Sequence, residues 1–191
     1  MKRLFCLALA TTFLALSAPA DSSAQTSIFV GGGATIPVSD FSDFDGDGAG
    51  TDGASTGWQG MVGAQFAVGE AGLTVGPRVY YGSNSHDTTG DKTNLFGGTA
   101  LVNYGFGDPE ALNPFVWGEF GVMSHAFKSD AAPATDATST AAVWAGGAGV
   151  GFPLGGVNGF IAAGYTAGLG DNSGTTYFGL YAGVTFAVGG G

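Results

Sequence analysis

From position 175 to 188 the chain reads TTYFGLYAGVTFAV. Every second residue falls on one face: Thr176, then Phe178, Leu180, Ala182, Val184, Phe186 and Val188. Tyr177, Gly179, Tyr181, Gly183 and Thr185 form the other face, small or polar. A period of two held over a dozen residues predicts a β-strand with two unlike faces. Seven earlier segments repeat the alternation, which predicts eight strands in all, at about 27–38, 57–68, 72–82, 94–106, 114–127, 138–152, 157–168 and 175–188. In the second, Trp58, Val62, Ala64, Phe66 and Val68 oppose Gln59, Met61, Gly63 and Gln65. In the third, Leu73, Val75, Val79 and Tyr81 oppose Thr74, Arg78 and Tyr80. In the fifth, Val116, Phe120, Val122 and Ala126 oppose Phe115, Trp117, Glu119, Met123 and His125. Phe29 and Pro37 fall on the otherwise small or polar face of the first strand and weaken its pattern.

The connections alternate in length. Segments 39–56, 83–93 and 128–137 are long, 69–71, 107–113 and 153–156 are short, and 169–174 is intermediate. That rhythm fits hairpins with loops at one end of a barrel and tight turns at the other. Ten residues rising about 3.3 Å each, tilted about 40°, span about 25 Å, the height of an outer-membrane apolar band. An even strand count lets the first strand pair with the last and leaves no open edge. The apolar faces are therefore expected to point outward into lipid. The ionisable acids and bases inside the strands are Arg78 and Glu119, both on the inward parity and opposite in sign. They are expected to meet in the lumen, with Tyr80, Tyr177, Tyr181 or Gln65 around them.

Composition narrows the choice. The 37 glycines, 13% aromatic residues and 10% charged residues suit a narrow barrel filled by small side chains among large ones. No internal run of apolar residues is long enough for a helical span. Glycine does not recur at every third position, which excludes collagen, and the aromatic content opposes disorder. The N-terminus reads as a secretory signal: Lys2 and Arg3, an apolar stretch at 4–16, then Ala18-Pro19-Ala20. Removal of 1–20 is expected, with a cut as late as residue 25 as the alternative. Cys6, the one cysteine, lies in that segment, so the mature chain is expected to use neither disulfide nor thiolate chemistry. Arg78, Lys92 and Lys128 then face fifteen acids, a net charge of −12. With no basic footprint, nucleic acid is not an expected partner.

The sharpest local motif is DFDGDG at 43–48, in which Asp43, Asp45 and Asp47 fit the first half of a calcium loop. Its twelfth position is Ala54 rather than a bidentate Glu, with Asp52 as a neighbouring substitute. The incomplete set favours a solvated acidic loop, and no other cofactor is expected. His86 and His125 are the histidines. His125 follows Ser124, but adjacent strand residues face opposite ways, so the two do not form a nucleophile–base pair. The glycines of 146–151 lack a phosphate-loop lysine and sit inside a strand. An enzyme is not expected. Eight strands leave an interior just wide enough for side chains. Phe115, Trp117, Phe160, Tyr177 and Tyr181 are expected to fill it, so conduction should be small.

Four stretches carry a family resemblance: GGGATIPVSDF at 31–41, NPFVWGEFGV at 113–122, AGVGFPLGG at 148–156 and FGLYAGVTFAV at 178–188. With the strand count, the mature chain resembles the outer-membrane β-barrel domain family, the small eight-stranded barrels of OmpA/OmpX and opacity-porin type. Tyr181, Gly183, Phe186 and Val188 occupy the places of the family's assembly signal, with Val188 where a terminal aromatic is usual. The resemblance implies an all-β, eight-stranded antiparallel up-and-down transmembrane β-barrel in the outer membrane of a Gram-negative-type envelope. It implies outer-membrane lipid and the barrel assembly machinery as partners, and an unidentified extracellular partner at the acidic loops. The expected role is structural or surface-interacting. A narrow porin or small-ligand transporter is the alternative. A secreted lipocalin-like barrel is a second, with Arg78, Glu119 and Gln65 turned to solvent; the scarcity of Lys and Glu on the strands opposes it.

Overall fold

A computed structural model describes residues 26–42, 53–69, 72–86, 90–108, 111–129 and 137–188. The signal segment and the three aspartates Asp43, Asp45 and Asp47 lie outside the described residues. The chain forms β1 (Thr26–Pro37), β2 (Gly57–Val68), β3 (Leu73–Ser85), β4 (Lys92–Gly105), β5 (Asn113–Lys128), β6 (Ala137–Pro153), β7 (Asn158–Gly168) and β8 (Thr176–Val188). Each strand pairs antiparallel with the next, and β8 returns to β1, closing the barrel. Closure gives every strand two neighbours and abolishes the sheet edge. No helix among the described residues is long and apolar enough to cross a membrane, which says nothing of strands.

The register keeps parity around the ring, so one set of side chains points out and the other in. Val30 faces Val62, Val62 faces Val79, and Phe120 faces Trp144. The outward set is exposed: Phe120 and Ile161 are each 60% accessible and Trp58 is 54% accessible. This set is layered. Trp58, Tyr81, Phe96, Trp144, Tyr165 and Phe178 ring the end that carries the long loops. Tyr104, Phe106 and Phe186 mark the turn end, with aliphatic side chains such as Val62, Val79, Val122 and Ile161 between. Neighbouring rings touch within each layer: Trp58 and Tyr81 at 5.7 Å, Tyr165 and Phe178 at 5.2 Å, Tyr104 and Phe106 at 4.9 Å.

Three details depart from the alternation. Phe29 is 5% exposed and packs edge-on to Phe160 at 6.4 Å, so the residue that weakens the β1 pattern fills the core. Gly63 makes the room, because a Cβ there would overlap the Phe29 ring. Thr176 shares the outward parity of β8 but is buried, its hydroxyl donating to the Val38 carbonyl at 2.8 Å. β3 runs on to Ser85, beyond the end its pattern suggests at Gly82. There the Asn84 amide donates to Thr35 Oγ1 at 3.0 Å and to the Ser55 carbonyl at 2.9 Å, tying the strand end to β1.

Backbone contact between strands is close where a side chain is absent. A Cβ on Gly33 would overlap the Leu180 carbonyl across the β1–β8 seam. Gly33→Ala is expected to destabilise the barrel by about 1–3 kcal/mol, as overpacking does. Gly156→Ala, in a turn with open space around it, should leave the urea midpoint unchanged. Equal midpoints for both variants would refute the close-packing account.

Candidate functional site

The lumen has three levels, and the middle one holds the charge. Arg78 on β3 and Glu119 on β5 both point inward, with β4 between them. Arg78 Nη1 lies 3.1 Å from Glu119 Oε2, with the side chains 5% and 1% exposed. Thr99, the register partner of Arg78 on β4, donates its hydroxyl to the same carboxylate oxygen at 3.0 Å. The guanidinium carbon stands 5.2 Å from the Tyr80 ring centre and 5.7 Å from those of Trp117 and Tyr181. A delocalised planar cation suits such an aromatic cage better than an ammonium would. Tyr80 and Tyr181 are thus beside the pair, as their parity suggests. Trp117 joins them, a contact that parity permits but only the register specifies. Tyr177 and Gln65 are not among the rings and groups that face the guanidinium directly. Tyr177 donates its hydroxyl to Gln59 Oε1 at 2.9 Å nearer the loops, and Gln65 lies toward the turns.

Above this level the lumen is filled. Leu95, Met123, Val143 and Tyr177 are fully buried. Polar residues among them hold the loops down. His86 Nε2 meets Thr93 Oγ1 at 3.0 Å, and His125 Nδ1 meets Thr175 Oγ1 at 3.3 Å. Asn172 donates to the Met123 carbonyl at 2.8 Å and accepts from Ser139. Phe41 lies edge-on to His125 at 6.1 Å and helps close the top. His125 is therefore engaged inside, whereas Ser124 takes the outward parity. Among the described residues no group of three or more His, Cys, Asp and Glu side chains is placed to hold a metal.

Below the charged level the lumen is hollow. A cavity of about 360 Å³ is lined by Phe29, Met61, Arg78, Leu101, Phe115 and Phe160 among others, and reaches the strand ends at Gly107, Asn113 and Asn158. The asymmetry has a sequence signal that strand patterns alone do not reveal. Near the turns, small or polar inward residues such as Ser27, Ala67, Thr74, Asn103, Ala162 and Thr185 stand among the rings of Phe29, Phe115 and Phe160 and leave space between them. Of the residues matching an assembly signal, Tyr181 is buried in the lumen, and Gly183 sits beside the Phe160 ring. Phe186 and Val188 lie on the outer face, 42% and 46% exposed.

No protein-family model matches the chain, and no curated protein does. Solved structures do. The crystal structure of Neisserial surface protein A is 14% identical, covers 86% of this chain and 97% of that one, and superposes with a TM-score of 0.63. A major outer membrane protein from Thermus thermophilus is 14% identical, covers 87% and 100%, and gives 0.53. Ail, the attachment invasion locus protein of Yersinia pestis, solved with the heparin analogue sucrose octasulfate, is 13% identical, covers 86% and 97%, and gives 0.50. At such identities the likeness concerns fold alone. In fold, this chain is a small eight-stranded barrel of the outer-membrane kind.

Proposed function

We propose that the chain is a non-catalytic outer-membrane barrel that presents an acidic loop end to cationic partners outside the cell. The observation that carries the membrane part is the outer face: an exposed aliphatic belt between two aromatic layers. A water-facing surface would bear charge there, whereas a lipid-facing one has this layering. In this reading the signal at 1–20 exports the chain, the assembly machinery reads Tyr181, Gly183, Phe186 and Val188, and the short turns face the periplasm. The filled loop half of the lumen speaks against a porin.

The charge at the loop end supports the partner class. Ten of the fifteen acids belong to segments joining strands at that end, Asp43, Asp45 and Asp47 among them. Lys92 and Lys128, exposed cross-strand partners at the rim, are the only bases facing them. Ail was solved with a sulfated, polyanionic ligand. The loop end here is negative, the same sign as such a ligand, and should repel it. Folded protein in lipid nanodiscs is expected to bind poly-lysine at about 0.01 M salt and to release it at about 1 M, where screening shortens electrostatic reach tenfold. Heparin should bind at neither. Heparin binding, or poly-lysine binding indifferent to salt, would sink the reading.

A further inference from the structure

The turn-end half of the lumen stays open because its rings lean along the wall. Glycines make this possible. The tip of the Phe115 ring rests over Gly149 on β6, that of Phe29 over Gly63 on β2, and that of Phe160 over Gly183 on β8 and Gly31 on β1. A Cβ on any of these glycines would overlap the ring and push it toward the axis. The space left is about 360 Å³, in the range of small-molecule pockets, and it opens at the turn end. Phe115 and Phe160 point inward and line it, yet are only half-buried, so each keeps ring surface turned to the cavity. Phe29, Met61 and Leu101 continue the apolar wall. Covering such surface is favourable, and the protein's own side chains leave it undone.

Charge decides what can enter. Arg78 Nε, Trp117 Nε1, Thr74 Oγ1 and Asn103 Oδ1 are buried within the wall and present nothing to a guest. Arg78, the one base lining the cavity, is already paired with Glu119 at 3.1 Å. The turns 69–71 and 107–113 hold Glu70, Asp108 and Glu110, and no base lies in any of the three turns. An anion would be repelled at this mouth and find its cation taken inside. A cation would be drawn to the mouth but would have to leave water for an apolar chamber. A neutral guest meets neither obstacle. An apolar cavity of about 150 Å³ admits one benzene ring, so about 360 Å³ has room for two fused rings. Ring walls favour a ring guest, because edge-to-face and offset contacts add to the area buried, and the Met61 thioether suits an aromatic neighbour. We propose that the turn-end cavity binds a small neutral aromatic molecule of about two fused rings, seated among Phe29, Phe115 and Phe160. Its mouth opens where the orientation proposed above places the periplasm. The binding depends only on the barrel interior, so it stands or falls separately from the loop-end reading.

The methionines supply the test. After position 1 the chain has Met61, which lines the cavity, and Met123, fully buried in the filled half. Full-length mature protein labelled with carbon-13 at the methionine methyls, in phosphatidylcholine nanodiscs, gives one signal at the cavity and one reference above it, assigned by Met61→Leu. The probe is 2-naphthol. It is expected to move the Met61 signal saturably, through the ring current of the bound rings, and to leave Met123 in place. 2-Naphthoate, the same rings with a carboxylate, should bind at least about tenfold more weakly, because it carries a charge into an apolar site. 1-Heptanol, apolar but without a ring, should compete about two- to tenfold more weakly, the loss of ring–ring contact. Ala162→Phe, in the wall between Phe115 and Phe160, fills the space and should abolish the saturable movement. Thr185→Phe, nearer the mouth, serves the same purpose if the first variant fails to fold, folding being read by the heat-dependent gel shift. Movement of Met61 that never saturates, that Met123 shares, or that survives filling of the cavity in a folded variant would mean partition into lipid and overturn the proposal. No movement of Met61 would overturn it too. Equal binding of 2-naphthoate or 1-heptanol would overturn the assigned class of guest.

Discussion

Glu119→Ala lowers the stability of the vesicle-inserted barrel by about 3–5 kcal/mol as the expected result, the range for breaking a buried ion pair by removing one partner. Arg78 cannot shed its proton and would remain charged, 5% exposed, with its carboxylate gone. Thr99 would lose its acceptor as well. The loss is read as a drop in the urea midpoint followed by the heat-dependent gel shift. Arg78→Met with Glu119→Leu should recover most of it, because the pair is replaced by apolar volume and no charge is stranded. A double-mutant cycle then isolates the coupling between the two sites. If Glu119→Ala and the double variant unfold at the same midpoint as the parent, the pair contributes nothing and the argument from burial is wrong.

Ile161→Arg is expected to cost about 2–4 kcal/mol and to reduce insertion, the effect of a charge near mid-height on a lipid-facing barrel. Ile161 is 60% exposed and faces Ala182, midway between the Phe178 and Phe186 levels of β8. In a barrel facing water, a charge at so exposed a position would change stability by less than about 0.5 kcal/mol. Thr140→Arg, on the outward face of β6 above Trp144, serves as the control and should cost about 0–1 kcal/mol. Fractionation completes the test: the parent should be recovered in the outer membrane. An Ile161→Arg variant as stable as Thr140→Arg would mean that the outer face meets water rather than lipid.

Much of this fold is legible in the sequence because one rule, alternation, decides both strand and face. Val62, Val79 and Ile161 had only to share a parity with Trp58 and Phe178 to be placed on the outer surface. Arg78 and Glu119 share the inward parity, but parity does not say at what height they sit. Their meeting depends on the stagger of β3 and β5 across β4, set by ladder pairs such as Arg78 with Thr99 and Leu101 with Glu119. Phe29 reads as a flaw in β1 because its partner space, the missing side chain of Gly63, is supplied by another strand. The loop-side contacts of Asn84 with Thr35 and His125 with Thr175 join residues 49 and 50 positions apart. No local pattern encodes them. The cavity is hidden for the same reason, since its lining, large and small, is contributed a few residues at a time by all eight strands.

The seam between β1 and β8, with Thr26 opposite Val188 and Pro37 opposite Tyr177, makes neighbours of the two extremes of the described chain. In the finished ring that junction is one antiparallel pair among eight, held by the same ladder bonds as any hairpin. What distinguishes it is the missing covalent link. Directly opposed residues in such a pair stand about 5 Å apart, within reach of a tight turn. The ring therefore has no intrinsic first strand: a short bridge from Val188 to Thr26 and a cut in any turn would relabel the order of the strands while leaving every contact in place. The arrangement of side chains inside and out belongs to the cycle, and the linear order is only the place where the cycle was opened.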